Sequence, residues 1–211
     1  MIRKGPVVAF LAFWPHIVQA EPVTITALGD SLTQGFGLPA EQGFVPQLEA
    51  WLRENGADVT LINAGVSGDT TAGGLARASW TLTPDVDAMI VTLGGNDFLR
   101  GIDPATSRAN LTGILEAARG AEVDVLLVGM RAPGNYGPNY KTAFDTMYPE
   151  LARDFDTLYL DNFFGGIGVS EPAEARAYMQ ADGVHPNAQG VLKIVESFGP
   201  LVMELIARVS D

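Results

Sequence analysis

A chain of 211 residues, 47% hydrophobic and 18% charged, carries enough apolar material for one full core and too little charge for a disordered segment. Its net charge of -12 and pI near 4.4 set it against nucleic acid and anionic membrane surfaces as partners. The absence of cysteine excludes thiolate nucleophiles, cysteine metal sites and disulfides, so the core alone must hold the fold.

Residues 1–20 differ from the rest. Arg3 and Lys4 make a basic start without acids, residues 7–13 are an apolar run, and Val18-Gln19-Ala20 places small or β-branched side chains where a signal peptidase reads. This is the pattern of a secretory signal peptide cleaved after Ala20, leaving one mature domain over 21–211 in the periplasm or outside the cell. The apolar run is too short to span a bilayer, so no stable membrane insertion is expected after processing. A retained N-terminal anchor is the alternative. Cleavage removes Arg3 and Lys4 and leaves 11 basic against 25 acidic residues, a charge of -14.

The mature chain alternates strand and helix. A β-branched run at 23–28 reads as the first strand and turns sharply into Gly29-Asp30-Ser31-Leu32. Residues 44–52 have helical spacing and end near Asn55-Gly56, and 59–63 form a second strand. The loop 64–70 leads into a helix through Leu75 and Ala78. Residues 88–93 are almost wholly apolar, as in a strand covered on both faces, and end in Gly94-Gly95-Asn96-Asp97. Asp103-Pro104 starts a helix, 123–128 is a fourth strand, 131–137 is a longer loop, 140–155 is helical and 157–160 is a short fifth strand. Residues 163–177 look irregular with some helix, 182–187 form a polar loop, and 191–209 read as a closing helix that Gly199-Pro200 should kink or split. Five alternations predict an α/β fold with a parallel sheet between helical layers and right-handed crossovers. Interesting loops then fall at the carboxyl ends of the strands, where such sheets bind ligands.

Ser31 on its turn needs a base to become a nucleophile. The mature chain offers one histidine, His185, because His16 leaves with the signal. Asp182 precedes it by three residues, close enough on a tight turn to orient the imidazole, although a capped surface turn has the same spacing. Acyl transfer also needs donors for the developing oxyanion. The Gly68 backbone, the Asn96 carboxamide and the Ser31 N–H are the candidates; each also suits an ordinary turn or cap. An α/β-hydrolase elbow is disfavoured because Thr33 stands where its second glycine belongs. A phosphate loop lacks its G-K-[ST], and a metal hydrolase lacks ligands.

Four ordered blocks together resemble the SGNH hydrolases, or GDSL esterases: Gly29-Asp30-Ser31-Leu32, Gly68 within Ser67-Gly68-Asp69-Thr70, Gly95-Asn96-Asp97, and Asp182-Gly183-Val184-His185-Pro186. Gly74-Leu75-Ala76-Arg77, Leu99-Arg100-Gly101 and Ala132-Pro133-Gly134-Asn135-Tyr136-Gly137 are similar to the multifunctional periplasmic esterase branch of that family. The resemblance implies a three-layer α/β/α flavodoxin-like fold with strand order 2-1-3-4-5. It implies Ser31 as nucleophile, His185 as general base and then acid, Asp182 as its orienter, and an oxyanion hole of Ser31, Gly68 and Asn96. Asp30 is given a loop-holding hydrogen bond, not the role of triad acid. No cofactor or metal is implied, the chain is expected as a monomer, and the substrates are small acyl esters, thioesters or lysophospholipids. Leu99, Pro133 and Tyr136, with Phe98, Ile102 and Met179, are the residues expected to line an acyl groove. A carbohydrate acetylesterase and a non-catalytic exported acyl-binding protein are the competing readings.

Overall fold

The computed structural model describes residues 21–168 and 172–209; the signal-peptide expectation falls outside them. Five parallel strands form the centre: β1 (Val23–Gly29), β2 (Val59–Gly65), β3 (Ala88–Thr92), β4 (Asp124–Val128) and β5 (Leu158–Leu160). Their spatial order is β2-β1-β3-β4-β5, as expected. Every residue of β3 is buried, which its unbroken apolar sequence requires, whereas β2 at the edge buries Val59 and Leu61 and exposes Thr60 and Ile62.

The register positions the functional loops. Gly29 pairs with Gly65 on one side and with Thr92 on the other, so β1, β2 and β3 finish level. The segments that leave them therefore start side by side at one edge of the sheet.

Helix α2 (Phe44–Glu54) pairs with α8 (Ala188–Val209) on one side of the sheet, where Phe44, Phe163 and Phe198 pack with ring centroids 4.8 to 5.5 Å apart. Helices α3 (Thr71–Thr81), α5 (Pro104–Gly120) and α6 (Pro138–Phe155) make the other layer. Asp103 caps α5 by accepting from the Ala105 N–H, with Pro104 in the first turn, as its sequence predicts. Two short helices were not expected, α1 (Ser31–Gln34) and α4 (Gly95–Leu99), whereas α7 (Pro172–Ala175) falls in the segment expected to hold some helix.

Helix α8 runs from 188 to 209 as one element, so of the kink or split expected at Gly199-Pro200 the split does not occur. Glu196 and Pro200 both face solvent, so water can serve the carbonyl that proline leaves without its helical donor. Gly199 is needed for packing: a Cβ there would lie 2.2 Å from Cζ3 of Trp51 in α2. Among the described residues no helix is long and apolar enough to cross a membrane.

Candidate active site

The strand-end turn after β1 is a single turn of helix. Asp30 is its N-cap, 2% exposed, and its Oδ1 accepts from the Leu32 N–H at 3.0 Å. Ser31 is the first residue of α1, so its own N–H lies outside the intrahelical hydrogen bonds. Asp30 thus has the loop-holding bond expected of it.

The polar loop before α8 folds into a closed turn. Met179 and Pro186 form an antiparallel bridge across it. Asp182 Oδ1 accepts from the N–H groups of Val184 at 2.9 Å and His185 at 3.0 Å, while Oδ2 lies 2.7 Å from His185 Nδ1. The hydrogen bond from His185, helped by the two backbone donors, holds the Asp182 carboxyl down at about 2. The ionised carboxylate only accepts, so Nδ1 carries the proton and the Nε2 lone pair is left to face outward. Ser31 Oγ is 2.8 Å from that nitrogen. The spacing of three residues is therefore what closes the turn, and Asp182, His185 and Ser31 form one continuous hydrogen-bonded row. The Phe36 ring packs on the imidazole with centroids 4.6 Å apart.

The opposite side of Ser31 is built from the ends of β2 and β3. Gly68 has φ of 84°, a left-handed conformation that glycine adopts without strain. Asn96 sits in the first turn of α4, and its Nδ2 donates to the Asp69 carbonyl at 2.9 Å and to Asp30 Oδ2 at 3.2 Å. Burial pushes the Asp30 carboxyl up to about 6, against the lowering effect of the Leu32 and Asn96 donors. Arg77 of α3 staples this region: Nε donates to Asp69 Oδ2 at 2.7 Å, Nη1 to the Ala64 carbonyl at 2.6 Å and Nη2 to the Gly29 carbonyl at 2.8 Å. Asp97, fully buried, accepts from the Thr71 N–H at 2.8 Å and from the hydroxyls of Thr71 and Ser107. Sequence reasoning gave Arg77 and Asp97 no role; their position beside Asp69 and Asn96 was the available signal.

The family model of the GDSL-like lipases and acylhydrolases matches residues 27–191. This chain belongs to that family. It is 38% identical to the esterase TesA of Pseudomonas aeruginosa over 189 residues, covering 89% of this chain and 92% of the relative. It is 36% identical over 166 residues to thioesterase 1/protease 1/lysophospholipase L1 of Escherichia coli K12, covering 78% of this chain and 76% of the relative. The crystal structure of AlinE4, an SGNH-hydrolase family esterase, superposes with a TM-score of 0.72 at 42% identity, covering 88% of this chain and 97% of the other. The chain is an SGNH esterase.

In this SGNH esterase a cavity of about 770 Å³ opens beside the row. Asp30, Ser31, Gly68, Asn96 and His185 all line it, so the polar groups of four segments meet in one place. The remaining wall is largely apolar, with Phe36, Phe98, Leu99, Met130, Phe164 and Ile167 among its side chains. Of the expected groove residues, Leu99, Phe98 and Met179 line the cavity, while Pro133, Tyr136 and Ile102 do not. Tyr136 instead packs on Tyr140, centroids 4.9 Å apart, because the segment after Pro133 turns toward the start of α6. Among the described residues no group of three or more His, Cys, Asp or Glu is placed to hold a metal.

Proposed function

We propose that Ser31 is the nucleophile of a two-step acyl transfer, with His185 as base and then acid and Asp182 as its orienter. The unbroken row from Asp182 through His185 to Ser31 at the wall of an apolar cavity carries this reading. In the first half, Ser31 Oγ attacks the ester or thioester carbonyl while Nε2 of His185 takes the hydroxyl proton. The imidazolium that forms is stabilised by the adjacent Asp182 carboxylate. It then gives its proton to the departing alcohol or thiol. In the second half the same nitrogen takes a proton from water, which attacks the acyl-Ser31 carbonyl, and then returns that proton to Ser31 Oγ as the acid leaves.

The oxyanion is met by the N–H groups of Ser31 and Gly68 and by the Asn96 carboxamide. Both Asn96 hydrogens already have acceptors, and the longer bond, to Asp30, is the one that an oxyanion displaces or shares. The cavity volume and its apolar wall suit acyl chains of medium or greater length better than acetyl groups. We therefore assign the substrates to long-chain carboxylic esters, including lysophospholipids, with aryl esters and thioesters as further acyl donors. The basic start and apolar run at residues 1–13 support export, with cleavage near Ala20.

Purified wild type and Ser31→Ala are compared on p-nitrophenyl esters from acetyl to palmitoyl, with lysophosphatidylcholine and acetylated xylan alongside. The expected result is activity that rises with chain length beyond acetyl and vanishes in Ser31→Ala. Wild-type turnover in that variant would remove the serine mechanism, and a preference for acetylated sugar would remove the acyl-chain assignment.

A further inference from the structure

The turn that carries Asp182 and His185 has its shape fixed from within. The Gln180 N–H donates to the His185 carbonyl at 2.8 Å, the Gly183 N–H donates to the Gln180 carbonyl at 3.0 Å, and Asn187 Nδ2 donates to the Ala177 carbonyl at 2.8 Å. These bonds hold the turn together but do not fix where it stands relative to Ser31. The hydrogen bond between Ser31 Oγ and His185 cannot do so through a reaction cycle, because the hydroxyl gives up its proton and becomes an ester. A separate tie is required if the imidazole is to stay in place for deacylation.

The Gln180 side chain supplies one. Its Nε2 donates to the Phe36 carbonyl at 2.7 Å and to the Pro186 carbonyl at 3.0 Å. Both partners are pure acceptors, so the amide orientation is settled and both of its hydrogens are used. The two carbonyls belong to the two halves of the site. Pro186 follows His185 directly. Phe36 closes the nucleophile turn, since its N–H donates to the Ser31 carbonyl at 3.1 Å. The side chain reaches that turn because Gly37 is bare: a Cβ there would lie 2.2 Å from Gln180 Oε1. The amide also grips the backbone on either side of the ring contact between Phe36 and His185.

We propose that Gln180 is a positioning residue that fixes the separation of the His185 imidazole from Ser31. It does not line the cavity, and its side chain bonds to none of the reacting atoms; that side chain acts through the backbone carbonyls of Phe36 and Pro186. This inference rests on the reading of Ser31 as nucleophile and His185 as base. Loss of the tie lets the imidazole drift, and misplacement of a reacting group by about 1 Å costs on the order of 100-fold in rate.

Gln180→Met keeps the length of the side chain and removes both donors. Gln180→Glu keeps its shape and sets acceptors against the two carbonyls. Each is compared with wild type by kcat and KM on a p-nitrophenyl ester, by the rate and final stoichiometry of Ser31 phosphonylation with a p-nitrophenyl phosphonate, and by the NMR signal of the His185 Nδ1 proton. Both variants should lose about 10- to 100-fold in kcat with KM little changed. Phosphonylation should slow in parallel yet still reach one equivalent, and the Nδ1 proton signal should shift or broaden. A wild-type phosphonylation rate in Gln180→Met would overturn the proposal. So would fewer labelled sites that each react at the wild-type rate, because Gln180 would then matter only for folding. Failure of wild type itself to be labelled at Ser31 would refute the nucleophile reading, and an unmoved Nδ1 signal in Gln180→Met would separately refute the tie.

Discussion

Asn96 and His185 approach the same serine from opposite sides, and they are anchored in different ways. Asn96 is held against the ends of three strands. Its partners are a carbonyl next to Gly68 and the 2% exposed Asp30, and Arg77 binds Gly29, Ala64 and Asp69 behind them. His185 stands on a turn outside the sheet, beside an Asp182 side chain that is 39% exposed. Donors that meet a developing charge must already be in place, since any reorganisation is added to the barrier. A base must exchange protons with leaving groups and water, and His185, its own side chain 16% exposed, meets them at the cavity wall. On the proposed roles, the Asn96 side should couple rate to stability, while the His185 side should affect rate with less effect on stability.

Substitutions can break that contrast. Ser31→Ala removes the group common to both sides and should cost about 10⁴-fold or more in kcat, with the urea midpoint near that of wild type. Asp182→Asn, on the base side, should cost on the order of 10³-fold, because the amide no longer fixes the His185 tautomer. Its urea midpoint at neutral pH should fall slightly, and less than in Asn96→Ala, because the exposed charge is lost but the amide oxygen still accepts from the Val184 and His185 N–H groups. Asn96→Ala should cost about 10²–10³-fold in kcat and, more than the previous two, lower stability by about 1–3 kcal/mol as Asp30 and the Asp69 carbonyl lose a donor. Arg77→Met should lower kcat by only about tenfold while destabilising by a similar 1–3 kcal/mol, because the Gly29 and Ala64 carbonyls are left without it. Equal loss of stability in Asp182→Asn and Asn96→Ala would erase the distinction.

The smallest effect is in the pH dependence of stability, and the two aspartates give it opposite signs. Burial raises Asp30 to about 6, above its ordinary 3.8. Its contribution is fully present below about 3.8 and is lost as pH rises through about 6. Asp182 is held at about 2 by its hydrogen bond from His185, so its contribution is present above 3.8 and is lost as pH falls through about 2. Urea unfolding from pH 7 down to about 4 should show a stabilising increment from Asp30 and none from Asp182. Asp30→Asn should remove that increment.

Much of the site was legible because its chemistry permits few residue types. Of two histidines, His16 falls in the stretch expected to be a signal peptide, which left His185 as the candidate base, and an aspartate three positions earlier could reach it only on a turn. The strand order and the places of Gly68 and Asn96 followed from the same ordered blocks. The short helices α1 and α4 were not legible, because four and five residues are too few to display a helical period. The cavity wall was half hidden for another reason. Phe164 and Ile167 are apolar residues in a short 3₁₀ helix and Met130 is one in a loop, and sequence does not distinguish one that faces a cavity from one that faces the core. Tyr136 was placed in the groove on the strength of its loop, but a neighbouring aromatic one helical turn on, Tyr140, captured it. Gly199-Pro200 suggested a kinked or split α8; it is not split, and the proline rule, which applies to the helix alone, could not show that Trp51 packs against the glycine from outside.

That last contact links events far apart in the chain. Helix α2 follows the Ser31 turn and α8 follows the His185 turn, and the Trp51 ring occupies the space left by Gly199. Neither helix can lift from the sheet without exposing the other's apolar face. In hydrogen-exchange terms their amides should open as one cooperative unit. Such an opening would part Ser31 from His185 in a single event, so thermal inactivation of this esterase is expected to follow the opening of the α2–α8 pair.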